Sequence, residues 1–235
     1  MNKEIAQCQN CKKEFAIEPE DFEFYAKIKV PPPVFCPKCR LQRRLAFYNL
    51  RNIYQRKCDL CGELKVSYYP PDAPYKIYCP RCWWSDKWDA QEYGRDYDFS
   101  KPFFEQLNQL MHEVPLLGLS IDLPTAESSP YNNHCGHLKN CYLLFHADEN
   151  ENSAYGLVVF HNKEVFDSSL VMYSSLCYDT LYDFKNYNCV GVDHTSDSMD
   201  CFFVRDLKNC HDCFVSANLR HKQYYILNKP YAKEN

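Results

Sequence analysis

The sequence predicts a mixed α+β chain: two small cysteine-rich modules, then one amphipathic helix, then a parallel β-solenoid. Three observations predict it. Four C-x-x-C pairs fall within the first 82 of 235 residues, an apolar stripe of helical period follows residue 100, and a repeat of 12 residues runs from Cys141 to Tyr225. The expected division is residues 1–57 for the first module with a basic helix, 58–134 for the second module, helix and linker, and 135–235 for the repeat.

The cysteine pairs come first. Cys8 and Cys11 combine with Cys36 and Cys39, and Cys58 and Cys61 with Cys79 and Cys82. Between the pairs lie 24 residues in the first set and 17 in the second, which suits two knuckles closing on one ion. Thiolates are soft ligands, and four of them in a tetrahedron select zinc, so two Zn2+ per chain are expected. A cross-brace exchange of pairs is the alternative pairing. A redox dithiol needs one such motif at a helix start, and four copies argue against it. A catalytic zinc keeps a coordination position open. Four thiolates leave none, so the sites read as structural and the chain leans away from an enzyme, with no catalytic residue assigned.

In each set the second pair carries a proline (FCPKC, YCPRC) and runs into a helical segment. After the first pair of the second set, CDLCGELKVSYYPPDAPYKIYC reads as a hairpin. This order resembles the treble-clef and zinc-ribbon class over residues 8–98. Nucleases that share the treble clef need a histidine motif, and no histidine precedes His112. The whole chain also resembles uncharacterised proteins of small-genome bacteria that join tandem modules of this class to a C-terminal β-solenoid. The strings that carry the resemblance are VPPPVFCPKCRLQRRLAFYNLR, YCPRCWWSDKWDA, YGRDYDFSKPFFEQL and YYILNKPYAKEN. It implies architecture rather than activity. In that set the tail continues into a further segment, so a short or truncated member is expected here.

The helix is expected to start at Ser100, with Pro102 in its first turn, and to end by Pro115. Phe103, Phe104, Leu107, Leu110 and Met111 make its apolar stripe. Residues 122–133 read as a loop.

Stepping by twelve from Cys141 gives Ser153, Val165, Cys177, Cys189, Cys201, Cys213 and Tyr225, each followed by an apolar or aromatic residue. Asn or Asp often precedes. A fixed short period with turn residues predicts a solenoid. A 12-residue coil has little interior volume for Phe and Tyr, so coils of roughly 24 residues are expected, with 141, 165, 189 and 213 in one column and 153, 177, 201 and 225 in another. The aromatic column and the small column three residues past each start (Leu144, Gly156, Ser168, Thr180) share one strand face and are expected to point inward.

The net charge of −4 hides an asymmetry. Residues 1–100 hold 17 basic against 14 acidic side chains, and residues 101–235 hold 10 against 17. Between Cys36 and Lys57 there are seven basic residues and no acid: Lys38, Arg40, Arg43, Arg44, Arg51, Arg56 and Lys57. With Phe47 among them, the segment suits phosphate contact plus base stacking, with RNA or single-stranded DNA as partner. A solvated helix face is the plainer reading. A solenoid that docks a protein partner, or a β-helix enzyme acting on carbohydrate, is the alternative function. For the enzyme, Asp167, Asp179, Asp183, Asp193, Asp197 and Asp200 near His194 are the candidates.

Trp83, Trp84 and Trp88 are expected in a core, or else as a stacking platform. The seven cysteines outside the pairs are expected as small buried thiols, and HCGHLKNC (134–141) and NCHDC (209–213) as weaker metal candidates. No stretch nears 18 apolar residues, and MNKEIAQCQNCKKEF has no apolar core of a leader. A cytoplasmic protein without a membrane partner is therefore expected.

Overall fold

The computed structural model describes residues 3–233. The chain divides into two compact units, residues 1–49 and 50–235. In the first, strands β1 (Glu4–Gln7) and β2 (Glu14–Ile17) form an antiparallel hairpin, followed by helices α1 (Pro19–Lys27) and α2 (Pro37–Leu45). A capping box between Glu18 and Asp21 starts α1. Pro37, at the first position of α2, needs no amide partner there.

The second unit opens with the same plan. Strands β3 (Tyr54–Lys57) and β4 (Leu64–Ser67) pair antiparallel, and helix α3 (Pro80–Trp83) again begins with a proline. The hairpin expected within residues 62–78 does not form. β4 pairs back onto β3, while β5 (Ile77–Tyr78) pairs parallel with β6 (Leu116–Leu117). The proline-rich stretch between β4 and β5 is a loop whose Pro70, Ala73 and Tyr75 carbonyls accept hydrogen bonds from Arg56.

Helix α4 (Phe103–Glu113) lies where the stripe predicts, but it starts after Pro102, which caps it in extended backbone, and not at Ser100. It buries none of its residues, and Phe103, Phe104, Leu107 and Met111 are exposed. Among the described residues no helix is long and apolar enough to cross a membrane.

The solenoid runs from β7 (Ala126–Glu127) through β8 (Asn133–Lys139), β9 (Tyr142–Glu151), β10 (Ala154–Phe166), β11 (Ser169–Met172), β12 (Ser175–Phe184), β13 (Tyr187–Asp193), β14 (Met199–Phe202) and β15 (His211–Phe214) to β16 (Gln223–Ile226). These pair in parallel, and β17 (Lys229–Pro230) folds back antiparallel on β16. The register corrects the expected coil. Cys177 lies opposite Cys189, Cys189 opposite Cys201, and Cys201 opposite Cys213, so one coil is 12 residues, not 24. The two expected columns are one.

The cross-section is four-sided. From His134 to Leu227 every third residue has a φ of 45–62°, so the chain turns a corner after each three-residue side. Asn, Asp, His or Gly occupies more than half of these corners, the residue types that tolerate the left-handed region best. Every third residue likewise faces inward. The cysteine column and the small column line the interior, while Tyr142, Phe166, Tyr178 and Phe214 point outward and are exposed. The volume limit on a 12-residue coil is respected by keeping aromatics outside, and not by lengthening the coil.

Inward positions also carry a chemical task. Cys189 Sγ donates to the carbonyl of Tyr187 at 3.4 Å, Ser153 Oγ to Glu151 O at 3.0 Å, and Asn150 Nδ2 to Val159 O at 2.8 Å. Asn150 Oδ1 accepts from the amide of Asn162, one coil on. Corners interrupt the strand ladders, and buried carbonyls and amides there need partners. Cys, Ser, Thr and Asn are small enough to fit and polar enough to supply them.

Candidate metal centres

The two hairpins present their cysteines in matched ways. In the first unit Cys8 and Cys11 form the turn between β1 and β2, Cys36 caps α2, and Cys39 lies in its first turn. In the second, Cys58 and Cys61 join β3 to β4, Cys79 caps α3, and Cys82 lies within it. Hydrogen bonds repeat in kind. The Cys8 amide donates to Lys13 O and the Cys58 amide to Glu63 O, both at 2.9 Å. The Cys36 amide donates to Cys8 Sγ at 3.2 Å and the Cys79 amide to Cys58 Sγ at 3.3 Å. Lys12 (φ 63°) and Gly62 (φ 74°) make the same left-handed turn after each first knuckle.

Within each group the four sulfurs lie within 4.8 Å of one another, so each could hold a metal ion. This pairs the knuckles in sequence order and not as a cross-brace. Cys11 and Cys61 are exposed while the other six are buried. Phe15 and Ile17 pack against the first group, and Tyr78, Trp83 and Trp88 against the second.

The electrostatics fit a cation. Burial raises the Cys8 thiol, but the amides of Cys36, Cys11 and Asn10 outweigh it and bring the pKa down to about 6. Burial likewise opposes Cys58, yet amides of Cys61, Cys79 and Leu60 bring it to about 7. Asn10 pulls Cys39 down, but burial and its three neighbouring thiols push it up to about 11. Burial and its neighbours drive Cys82 well above the usual thiol range. One sulfur in each group is thus prepared as a thiolate, and full ionisation of the set calls for a bound positive charge. A closed set of four sulfurs offers a ligand shell and no open catalytic position.

The basic segment is divided between the two units. Lys38, Arg40, Arg43 and Arg44 lie on α2, which ends at Leu45. Lys38, Arg43 and Arg44 are exposed, with Arg43 over the Phe35 ring at 4.9 Å. Arg40 is half-buried and donates to Tyr25 Oη at 3.3 Å. Phe47 is 94% exposed. Arg51 and Lys57 are exposed in the second unit, where Arg51 lies over the Phe145 ring at 5.8 Å. Arg56 is turned inward, 8% exposed, and donates to three carbonyls and to Asp59.

The other sequence candidates separate in the same way. The Trp83 and Trp88 rings lie 4.8 Å apart at a tilt of 45° beside the second cysteine group, whereas Trp84 is 77% exposed. In 134–141 the cysteines face inward and the histidines outward, so they do not converge, and the same holds for Cys210, Cys213 and His211. Asp167, Asp179, Asp197 and Asp200 occupy corners, Asp193 pairs with His194 and Arg205, and Asp183 is buried. Sequence reasoning missed a groove beside Trp84 that gathers Asp122, His137 and Asp148. Its floor depends on a register shift that no periodicity announces.

A scan against protein-family models finds no match to this chain, and a search of the curated proteins finds none either.

Proposed function

We propose that this is a zinc-stabilised, non-enzymatic cytoplasmic protein that binds unpaired nucleic acid, RNA foremost, or a ribonucleoprotein surface through α2 and the residues after it. The observation that carries this reading is the exposed face of Lys38, Arg43 and Arg44 beside the bare ring of Phe47. Among the described residues no carboxylate lies within ion-pair distance of these three cations. Guanidinium groups that contact phosphates and a ring that stacks on a base are the two parts of sequence-tolerant single-strand binding. Cys36 and Cys39 anchor the first turn of α2, so zinc in that group would hold the cationic face rigid. Arg51 and Lys57 are exposed cations of the second unit, and Arg56 is internal there.

Fluorescence anisotropy with a labelled uridine-rich RNA against salt tests the reading. Three engaged cations give a slope of about −2, from about −0.7 per phosphate contact on single strands. Joint replacement of Lys38, Arg43 and Arg44 by Glu should abolish binding with zinc content intact. No binding at low salt, or no effect of the replacement, overturns it.

A second reading is favoured by the outward aromatic column of Tyr142, Phe166, Tyr178 and Phe214, an apolar stripe on a rigid rod that suits a protein partner. Its check is whether Phe166→Ser with Tyr178→Ser removes a protein that co-purifies with the native chain. Retention of that protein would discard it.

A further inference from the structure

Where the second module meets the first coils of the solenoid, an open groove of about 510 Å³ is lined by Trp84, Asp122, His134, His137, Asp148 and Phe160. A second hollow of about 490 Å³, lined by Pro80, Arg81, Leu123 and Pro124, shares Trp84 and Asp122 with it. The exposed indole of Trp84 therefore belongs to both hollows.

A register shift shapes the floor. Ala126 lies opposite Leu138, twelve residues on, but Ile121 bridges to Cys135, fourteen on. The shift sets Asp122 beside Gly136, which on its other side pairs with Asp148. A Cβ on Gly136 would stand 3.2 Å from Asp148 Oδ1 and 3.6 Å from Asp122 Cβ. The missing side chain leaves a notch between two acidic residues. His137 Nδ1 lies 2.9 Å from Asp148 Oδ1. An ionised carboxylate accepts and cannot donate, so Nδ1 carries the proton and Nε2 is left for another partner. Burial, and then the neighbouring His146, hold His134 below the usual imidazole range, so it is neutral at pH 7 and can both donate and accept.

We propose that this groove binds a neutral oligosaccharide, one ring stacked on Trp84 and the hydroxyls of its neighbour held by Asp122, Asp148 and His134. An indole face suits the apolar C–H face of a sugar ring. Carboxylates accept strong hydrogen bonds from hydroxyls. Two hollows that share the indole fit a chain of rings better than a single ring. The two aspartates disfavour a phosphate ligand, so this site is separate from the nucleic-acid reading and does not rest on it. A metal ion is disfavoured because, among the described residues, three or more ligand atoms converge within 4.8 Å only in the two cysteine groups.

The test uses the zinc-loaded full chain and four probes: cellohexaose, maltohexaose, xylohexaose and N-acetylated chitohexaose. Calorimetry and saturation-transfer NMR should find at least one bound with a Kd of about 10 μM to 1 mM. Trp84→Ala should weaken it at least about tenfold, and Gly136→Val, which fills the notch, should abolish it. Because Gly136→Val could disturb the coil, Asp148→Asn serves as the isosteric variant, with a loss of about tenfold. Arg43→Glu should leave sugar binding unchanged. The proposal is overturned if none of the four binds at ~10 mM, if Trp84→Ala binds as well as the native chain, or if an arginine-rich peptide occupies the groove and no sugar does.

Discussion

The backbone amide of Thr195 donates to Asp183 Oδ1 at 3.1 Å, and the other carboxylate oxygen, also buried, has no partner. Asn186, the next inward residue, shows what the position asks for. Its Oδ1 accepts from the Ser198 amide at 3.1 Å, and its Nδ2 donates to the Thr195 carbonyl at 2.9 Å. Asp183 is an acid at a site built for an amide. Burial pushes its pKa up to about 7, with the Thr195 amide pulling part of the way back.

Stability should therefore depend on pH through this residue. The folded protein holds the Asp183 proton more tightly than the unfolded chain, whose carboxyl titrates near 3.9. The favourable contribution is complete below about pH 4 and is lost as pH rises through about 7, with an upper bound of about 4 kcal/mol. Asp183→Asn supplies the missing donor at every pH. Thermal melts should show the variant several degrees more stable at pH 8 and little changed at pH 4. Equal shifts at both pH values would contradict this assignment.

Metal analysis should find two zinc ions per chain. Cys58→Ser should lose one of them and unfold the second module, since structural zinc contributes roughly 10–16 kcal/mol of apparent binding in finger peptides. The other ion should stay with Cys8, Cys11, Cys36 and Cys39. Loss of both ions from the single variant would count against two independent groups.

Lys12 and Gly62 make the same turn at unequal cost. A lysine with φ 63° carries strain that glycine avoids. Lys12→Gly should stabilise the first module by about 0.5–1 kcal/mol, read as a tighter zinc affinity in a chelator competition. Gly62→Lys should weaken the second module by a similar amount. A Cβ at Gly62 meets nothing within 4 Å, so the effect is one of backbone alone.

Inside and outside of the solenoid should answer differently to substitution. Cys189 is fully buried, and Cys189→Phe forces a ring into a coil with no room for it, at a cost of about 3 kcal/mol or more. Tyr178 is 52% exposed, and Tyr178→Ala should cost about 0.5 kcal/mol. Urea titration would decide, and the reverse order would mean that the aromatic column faces inward.

The metal groups were legible because their ligands come in local pairs, whose spacing survives whatever the rest of the chain does. The repeat was legible because stacked coils must keep register, which Cys177, Cys189 and Cys201 do. Its direction was not. Alternation of period two assumes an uninterrupted strand, but a left-handed residue at every third position, such as Asp179, Tyr182 and Lys185, resets the pleat. Inward residues then recur every three, which places Cys177 inside and Tyr178 outside. Arg56 could not be told from its basic neighbours, since only the loop it pins, through Pro70 and Tyr75, shows that it is internal. Helix α4 was placed by its stripe, yet Phe104 and Leu107 remain exposed, because periodicity reports an apolar face and not what covers it.

A coil of twelve residues that matches the one above and the one below has a consequence for the gene. Removing or duplicating one whole coil rejoins surfaces of the same shape, since inward amide and hydroxyl oxygens accept from backbone amides one coil on and inward thiols donate to nearby carbonyls, not to a unique distant partner. An insertion that is not a multiple of three would turn corners into sides and bring aromatics indoors, and one of three, six or nine residues would put unlike sides in register. The length of the rod is thus quantised, and the changes its gene can absorb are whole multiples of one coil.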